Sequence, residues 1–212
     1  ADGAGTEVAL EPRSVADFYA EVVSRLDELD LATPIWTMPV EIEGAIPFTD
    51  DHDHASYDAG SVEVFHRALV DMDRVFYRFR AGFVGKCSPV HFWWGGFDHA
   101  VTRFSGRTAP PHPGSAPNCG PHVMREAYSH EVSSAGYWTS GSDEGTFYSY
   151  AYPEPPGYAD WGDLPEGASY LAELGEFVLP YAAVRAAADP GALLADFLQR
   201  TYVAAADLGE WD

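Results

Sequence analysis

Apolar residues recur at helical spacing near the start, the middle and the end of the chain, and alternate with polar ones in between. Val15, Phe18, Val22, Leu26 and Leu29 step by three and four behind Ser14 and Asp17, a capping box, so a helix is expected from about Ser14 to Asp30. Trp36, Met38, Val40 and Ile42 alternate with Thr37, Pro39, Glu41 and Glu43, the pattern of a half-buried strand, with Pro39 placing it near a sheet edge. The strongest helical stripe follows: Val62, Phe65, Leu69, Met72, Phe76, Phe79 and Phe83, with Gly85 available as a C-terminal cap. That stripe is expected to be core.

Ser88–Trp94 and Phe97–Phe104 flank Gly95-Gly96, a hairpin signal. The implied register sets Trp93 against Asp98, Phe92 against His99 and His91 against Ala100. Val90, Phe92, Trp94, Phe97, His99 and Val101 then share a mostly apolar face; His91, Trp93, Asp98, Ala100 and Thr102 share the other, which reads as the wall of a pocket. Residues 105–124, rich in proline and glycine, read as a long loop and a candidate lid. Strands are expected at about Glu126–Trp138, Thr146–Tyr152 and Phe177–Pro180, and a final helix opening at Asp189-Pro190 with Leu194, Phe197, Leu198, Thr201 and Ala205 on one face. The fold class is therefore α+β: an antiparallel sheet packed with three main helices, in a single domain over 14–212 behind a flexible tail at 1–13.

Composition narrows the partners. The 212 residues carry 33 acidic and 12 basic side chains, a net charge of −21, which disfavours nucleic acid and anionic lipid. No apolar run approaches the length of a membrane helix, and the first residues lack the basic and apolar blocks of a signal peptide, so a cytoplasmic location is expected. Cys87 and Cys119 show no ligand-like spacing and are expected as free thiols, and Lys86, the only lysine, as a solvated residue near a helix end. Residues 66–107 hold seven bases and three acids, a cationic segment suited either to an acidic small molecule or to pairing with the acidic remainder.

Several residues suit chemistry. His52 and His54, two apart in an acidic loop with Asp58, form a candidate metal site for zinc or iron, with His91, His130 or Glu131 as a third ligand; a helix-capping turn is the plainer reading. His130 beside Glu131, and His91 on the hairpin, are candidates for proton transfer together with Asp98, although neighbouring strand residues point to opposite faces. Arg103 and Arg107 form the best candidate clamp for a carboxylate, with structural ion pairing as the alternative. Trp93, His99, Tyr57, Tyr128, Tyr148 and Tyr150 complete the expected binding walls.

The stretch Ser88-Pro89-Val90-His91-Phe92-Trp93-Trp94-Gly95, followed by Phe97-Asp98 and Ala100-Val101-Thr102-Arg103-Phe104-Ser105-Gly106-Arg107, resembles a bacterial, largely actinobacterial family known only as domain of unknown function five-nine-nine-six. Trp36–Ile42, His54–Asp58, Glu126–Glu131 and Tyr148–Pro155 resemble it as well. The resemblance supplies no reaction. It implies leucine at the position of His99, and this departure on an apolar wall points either to a specialised relative recruited to a biosynthetic pathway or to a satisfied core histidine. The function expected is an enzyme for a small polar or anionic metabolite, working by histidine acid–base or metal-assisted chemistry, with a non-catalytic small-molecule-binding domain as the alternative.

Overall fold

The computed structural model describes residues 3–211. It divides into two compact units, Ala1–Ala68 with Ala116–Cys119, and Leu69–Ser115 with Gly120–Asp212. Of the expected tail, Ala1 and Asp2 lie outside the described residues, as does Asp212 at the far end; Gly3–Arg13 form neither helix nor strand.

In the first unit, Val15–Glu28 forms helix α1, opened by Ser14, whose Oγ accepts from the Asp17 amide at 3.1 Å. The next two free amides of its first turn are taken by a loop: Val15 N–H donates to the His54 carbonyl at 3.0 Å and Ala16 N–H to the Asp51 carbonyl at 2.9 Å. The strand expected at Trp36–Glu43 does not form. Pro39 withholds a ladder donor and Glu41 adopts φ 64°, so the chain turns instead. Asn118 fastens the turn by donating from Nδ2 to the carbonyls of Pro39 and Ile42 at 3.1 and 2.9 Å. Helix α2, Ala59–Ala81, begins in this unit and continues into the second. It ends four residues before Gly85, which therefore does not cap it.

The second unit is built on a six-stranded, wholly antiparallel sheet: His91–Trp93 (β1), Asp98–Thr108 (β2), His130–Trp138 (β3), Thr146–Tyr152 (β4), Ser169–Leu171 (β5) and Glu176–Pro180 (β6), ordered β1-β2-β3-β4-β6-β5. The architecture is α+β, as the periodicity predicts. The hairpin register is the expected one, His91 opposite Ala100 and Trp93 opposite Asp98. Its turn spans four residues, however, and Phe97 (φ 54°) rather than either glycine takes the left-handed conformation. The proline-rich loop is shorter than expected, because β2 runs to Thr108 and a helix, Pro121–Ala127 (α3), opens at Pro121. That helix also claims Glu126 and Ala127, so the following strand starts at His130. Two further helices, Tyr181–Ala186 (α4) and Pro190–Leu208 (α5), close the chain.

One face of the sheet makes the core. Val101, Ala135, Phe147, Phe177 and Leu179 are buried there with Met72, Val75, Phe76 and Phe79 of α2 and with Leu194, Phe197, Leu198, Thr201 and Ala205 of α5. Each fully buried Phe or Leu contributes about 1.5–3 kcal/mol. The face holding Asp98, Thr102, Ser134, Tyr148, Tyr150 and Glu176 is polar and mostly half-buried.

Candidate functional site

Antiparallel pairing sets the polar face row by row. Ala100, Gly136, Tyr148 and Val178 lie opposite one another across β2, β3, β4 and β6, and Thr102, Ser134 and Tyr150 form the adjacent row. Gly136 makes the first row chemically useful. A Cβ at that position would stand 2.6 Å from the Tyr148 Oη and 2.8 Å from the His99 carbonyl oxygen. With no side chain there, Tyr148 lies across β3 and its Oη donates to Asp98 Oδ2 on β2 at 2.5 Å. One row on, Thr102 Oγ1 and Ser134 Oγ are 2.9 Å apart, and the hydroxyls of Tyr150 and Tyr128 3.1 Å.

The loop after β2 is pinned to this end of the sheet. His112 stacks on Tyr128 at 4.3 Å and packs on Tyr152 at 4.6 Å, and Tyr152 Oη donates to the Pro110 carbonyl at 3.0 Å.

The electrostatics follow from burial. Desolvation pushes the Asp98 carboxyl up, only partly offset by the Tyr148 hydroxyl and His99. Burial, helped by the charge of Asp98, holds the Tyr148 phenol well above its ordinary value, so it keeps its proton and serves as a donor. Tyr150 is raised in the same way, by burial and by Tyr128. Glu176, at the start of β6, is pushed up to about 7 by burial first and by Asp98 second. Neither Asp98 nor Glu176 has an ion-pair partner among the described residues. Sequence reasoning missed Glu176. Its local signal, a glutamate at the start of a short apolar run, is indistinguishable from a solvated strand end.

The structure therefore brings together Asp98, Tyr148, Tyr150 and Tyr128 and adds Glu176. His91 and Trp93 stand on edge strand β1, exposed, their rings 4.8 Å apart. His130 lies on β3 six residues from Gly136, which shares the row of Ala100, the partner of His91; the two histidines are thus roughly 20 Å apart and do not act on one atom. His130 Nδ1 lies 3.0 Å from Ser129 Oγ.

Four other expected residues are occupied elsewhere. Glu131 points away from His130 and accepts from Arg107 Nε and from Ser105 Oγ, each at 2.8 Å. Arg107 also donates to the carbonyls of Gly209 and Glu210, tying down the end of α5 beside a cavity of about 520 Å³. Arg103 is no clamp. It is 2% exposed on the core face, with its guanidinium 3.4 Å from the ring centre of Phe79 and 4.2 Å from that of Tyr202. Burial lowers it to about 10. His99 is on the core face as its strand position requires, stacked on Phe76, with Nε2 2.9 Å from Asp73 Oδ1. Burial lowers its pKa against the pull of Asp73.

The metal candidates are spent on local structure. His54 Nδ1 meets Asp51 at 2.9 Å, His52 Nδ1 lies 3.5 Å from Ser14 Oγ, and Asp58 Oδ2 accepts from the Ser61 amide at 2.7 Å at the start of α2. No group of three His, Cys, Asp or Glu side chains suited to a metal ion occurs among the described residues. Tyr57 is half-buried in the same unit as these residues. Both cysteines are free. No helix of the described residues is long and apolar enough to cross a membrane.

Fold and site define an α+β protein whose antiparallel sheet presents one half-buried acidic and phenolic face. The chain belongs to a family of unknown function, DUF5996, whose model matches residues 1–212. No curated protein and no solved structure matches it.

Proposed function

We propose that the polar face of the sheet is the binding site of an enzyme that moves a proton on a small polar metabolite, neutral or cationic. The observation that carries this reading is Glu176: a half-buried carboxyl facing Asp98 and the tyrosines, which burial and then Asp98 push up to about 7. A group so tuned takes and returns a proton at little cost. Tyr148, whose one proton is held by Asp98, offers its oxygen as an acceptor to a ligand N–H or O–H, and the hydroxyl of the Tyr150–Tyr128 pair that is not donating to the other supplies a donor. The charge balance argues against an anionic ligand. Arg103 is buried in the core and Arg107 is engaged by Glu131, so two carboxyls face the ligand with no ion-pair partner among the described residues.

The test is a ligand screen by thermal shift with matched neutral, cationic and anionic metabolites, followed by mass spectrometry for turnover. Neutral or cationic compounds are expected to raise Tm. Glu176→Gln is expected to keep binding within about threefold and to lose turnover by about a hundredfold or more. Binding confined to anions, or full turnover in Glu176→Gln, overturns the reading. Binding with the ligand always recovered unchanged makes this a non-catalytic binding protein.

A further inference from the structure

The first unit carries a feature that the polar sheet face does not use. Asp51 is 7% exposed, and its Oδ1 accepts from the backbone amides of Asp53 and His54 at 3.2 and 3.0 Å. Those amide bonds, that of His54 foremost, hold its carboxyl below the ordinary value and so ionised. The same carboxylate grips His54 Nδ1 at 2.9 Å from both oxygens. The ring is thereby oriented with its proton on Nδ1, and Nε2 is left as an acceptor. The backbone cannot easily relax, because the carbonyls of Asp51 and His54 cap the first turn of α1.

His54 lines an open cavity of about 480 Å³, with Leu10, Val15, Phe18 and Tyr57 as its apolar wall. Arg13 lies over the Phe18 ring at 4.9 Å and pairs with Glu21, while its Nε is buried without a partner. The other charged groups lining the cavity are Glu11 and Asp53, both exposed carboxylates that repel a ligand arriving as an anion.

We propose that this cavity is a second ligand site, specific for a small aromatic compound bearing a weakly acidic hydroxyl. The aromatic body covers Phe18 and Tyr57, and the hydroxyl meets His54 Nε2. The compound enters neutral. Its O–H proton passes to Nε2, the imidazolium that forms is held by Asp51, and the phenolate oxygen stays against that imidazolium; no other bond changes. Asp51 acts through His54 and is a positioning residue.

The probe is para-nitrophenol, whose phenolate is yellow and whose phenol is not. It is titrated with the full chain at about pH 6, where the free probe is mostly protonated. The expected result is a saturable rise in phenolate absorbance, absent with para-nitroanisole, which has the same body and no acidic hydroxyl. His54→Ala and His54→Gln, both at an exposed ring, are expected to weaken the effect at least about tenfold, and Asp51→Asn to leave a smaller rise with an altered pH profile. No rise in the wild-type chain, or an equal rise in both His54 variants, overturns the proposal. Neither result touches Glu176, so the reading of the sheet face is tested separately.

Discussion

Glu176 sits half-buried on β6 with its charge opposed by Asp98 and supported by no cation, and this gives its ionisation a cost that the unfolded chain does not bear. The ordinary value of 4.5 rises to about 7 on folding. Below 4.5 the group is protonated in both states and costs nothing; as pH rises through about 7 the folded chain must ionise it, and stability is lost. Glu176→Gln removes the charge and keeps the shape. Allowing for solvent at the site, the variant is expected to be more stable than wild type by about 1–2 kcal/mol at pH 8, with the difference shrinking towards pH 5. Urea unfolding at the two pH values measures this, and a difference that does not depend on pH removes the basis of the proposed acid–base role. His99 has the opposite sign. Its lowered pKa makes protonation costly in the folded state, so its contribution is present above 6.5 and is lost as pH falls. Glu176 and His99 lie on opposite faces of one sheet; burial without enough partners is the cause in both, and only the residue on the polar face is placed to meet a ligand.

At the scale of elements, the signals that are strong in the sequence are those that burial on a single face dictates. The C-terminal half of the α2 stripe, the α5 face and the β1–β2 register follow from periodicity, because Met72, Phe76 and Phe79 share one buried helix face and a one-residue strand slip would turn Val101 to water. Val62 at the start of the stripe is exposed and Phe83 lies beyond the helix, so the stripe is not core throughout. The segment Trp36–Glu43 has the same alternation and no strand, since Pro39 and the left-handed Glu41 deny it a ladder. Pairing across distant strands is invisible locally, which is why Tyr148 and Asp98 read as separate candidates and Glu176 as none. The residue that joins them is Gly136, with no more local signal than any strand glycine. Gly136→Ala is expected to drive the new methyl into the Tyr148 hydroxyl and the His99 carbonyl, costing about 1–3 kcal/mol and breaking the Tyr148–Asp98 hydrogen bond. Chemical denaturation together with the ultraviolet titration of the tyrosines measures both effects. Unchanged stability and an unchanged titration would mean that Tyr148 does not cross β3 in solution.

For the whole molecule the dominant fact is charge. Thirty-three acids face 12 bases, so pairing every base would still leave 21 acids uncompensated. The pairs that do form are mostly on the surface, such as Arg200 with Asp163 and Asp196 and Arg185 with Glu144, where water screens them and each adds little. Salt acts on both kinds of interaction, weakening the pairs and screening the repulsion, and the surplus decides which wins. Folding concentrates the like charges, and the screening length falls from about 30 Å at 0.01 M to about 3 Å at 1 M salt. Tm is therefore expected to rise by several degrees from about 20 mM to 0.5 M sodium chloride, as calorimetry would record. Chloride is the appropriate anion, because sulfate would also strengthen apolar burial and confuse the two causes. A flat or falling Tm would mean that the ion pairs outweigh the surplus. Such a result would place most of the acids far enough apart to be screened already at low salt, with Asp98 and Glu176, half-buried on one sheet face and less open to salt, as a close pair whose repulsion persists.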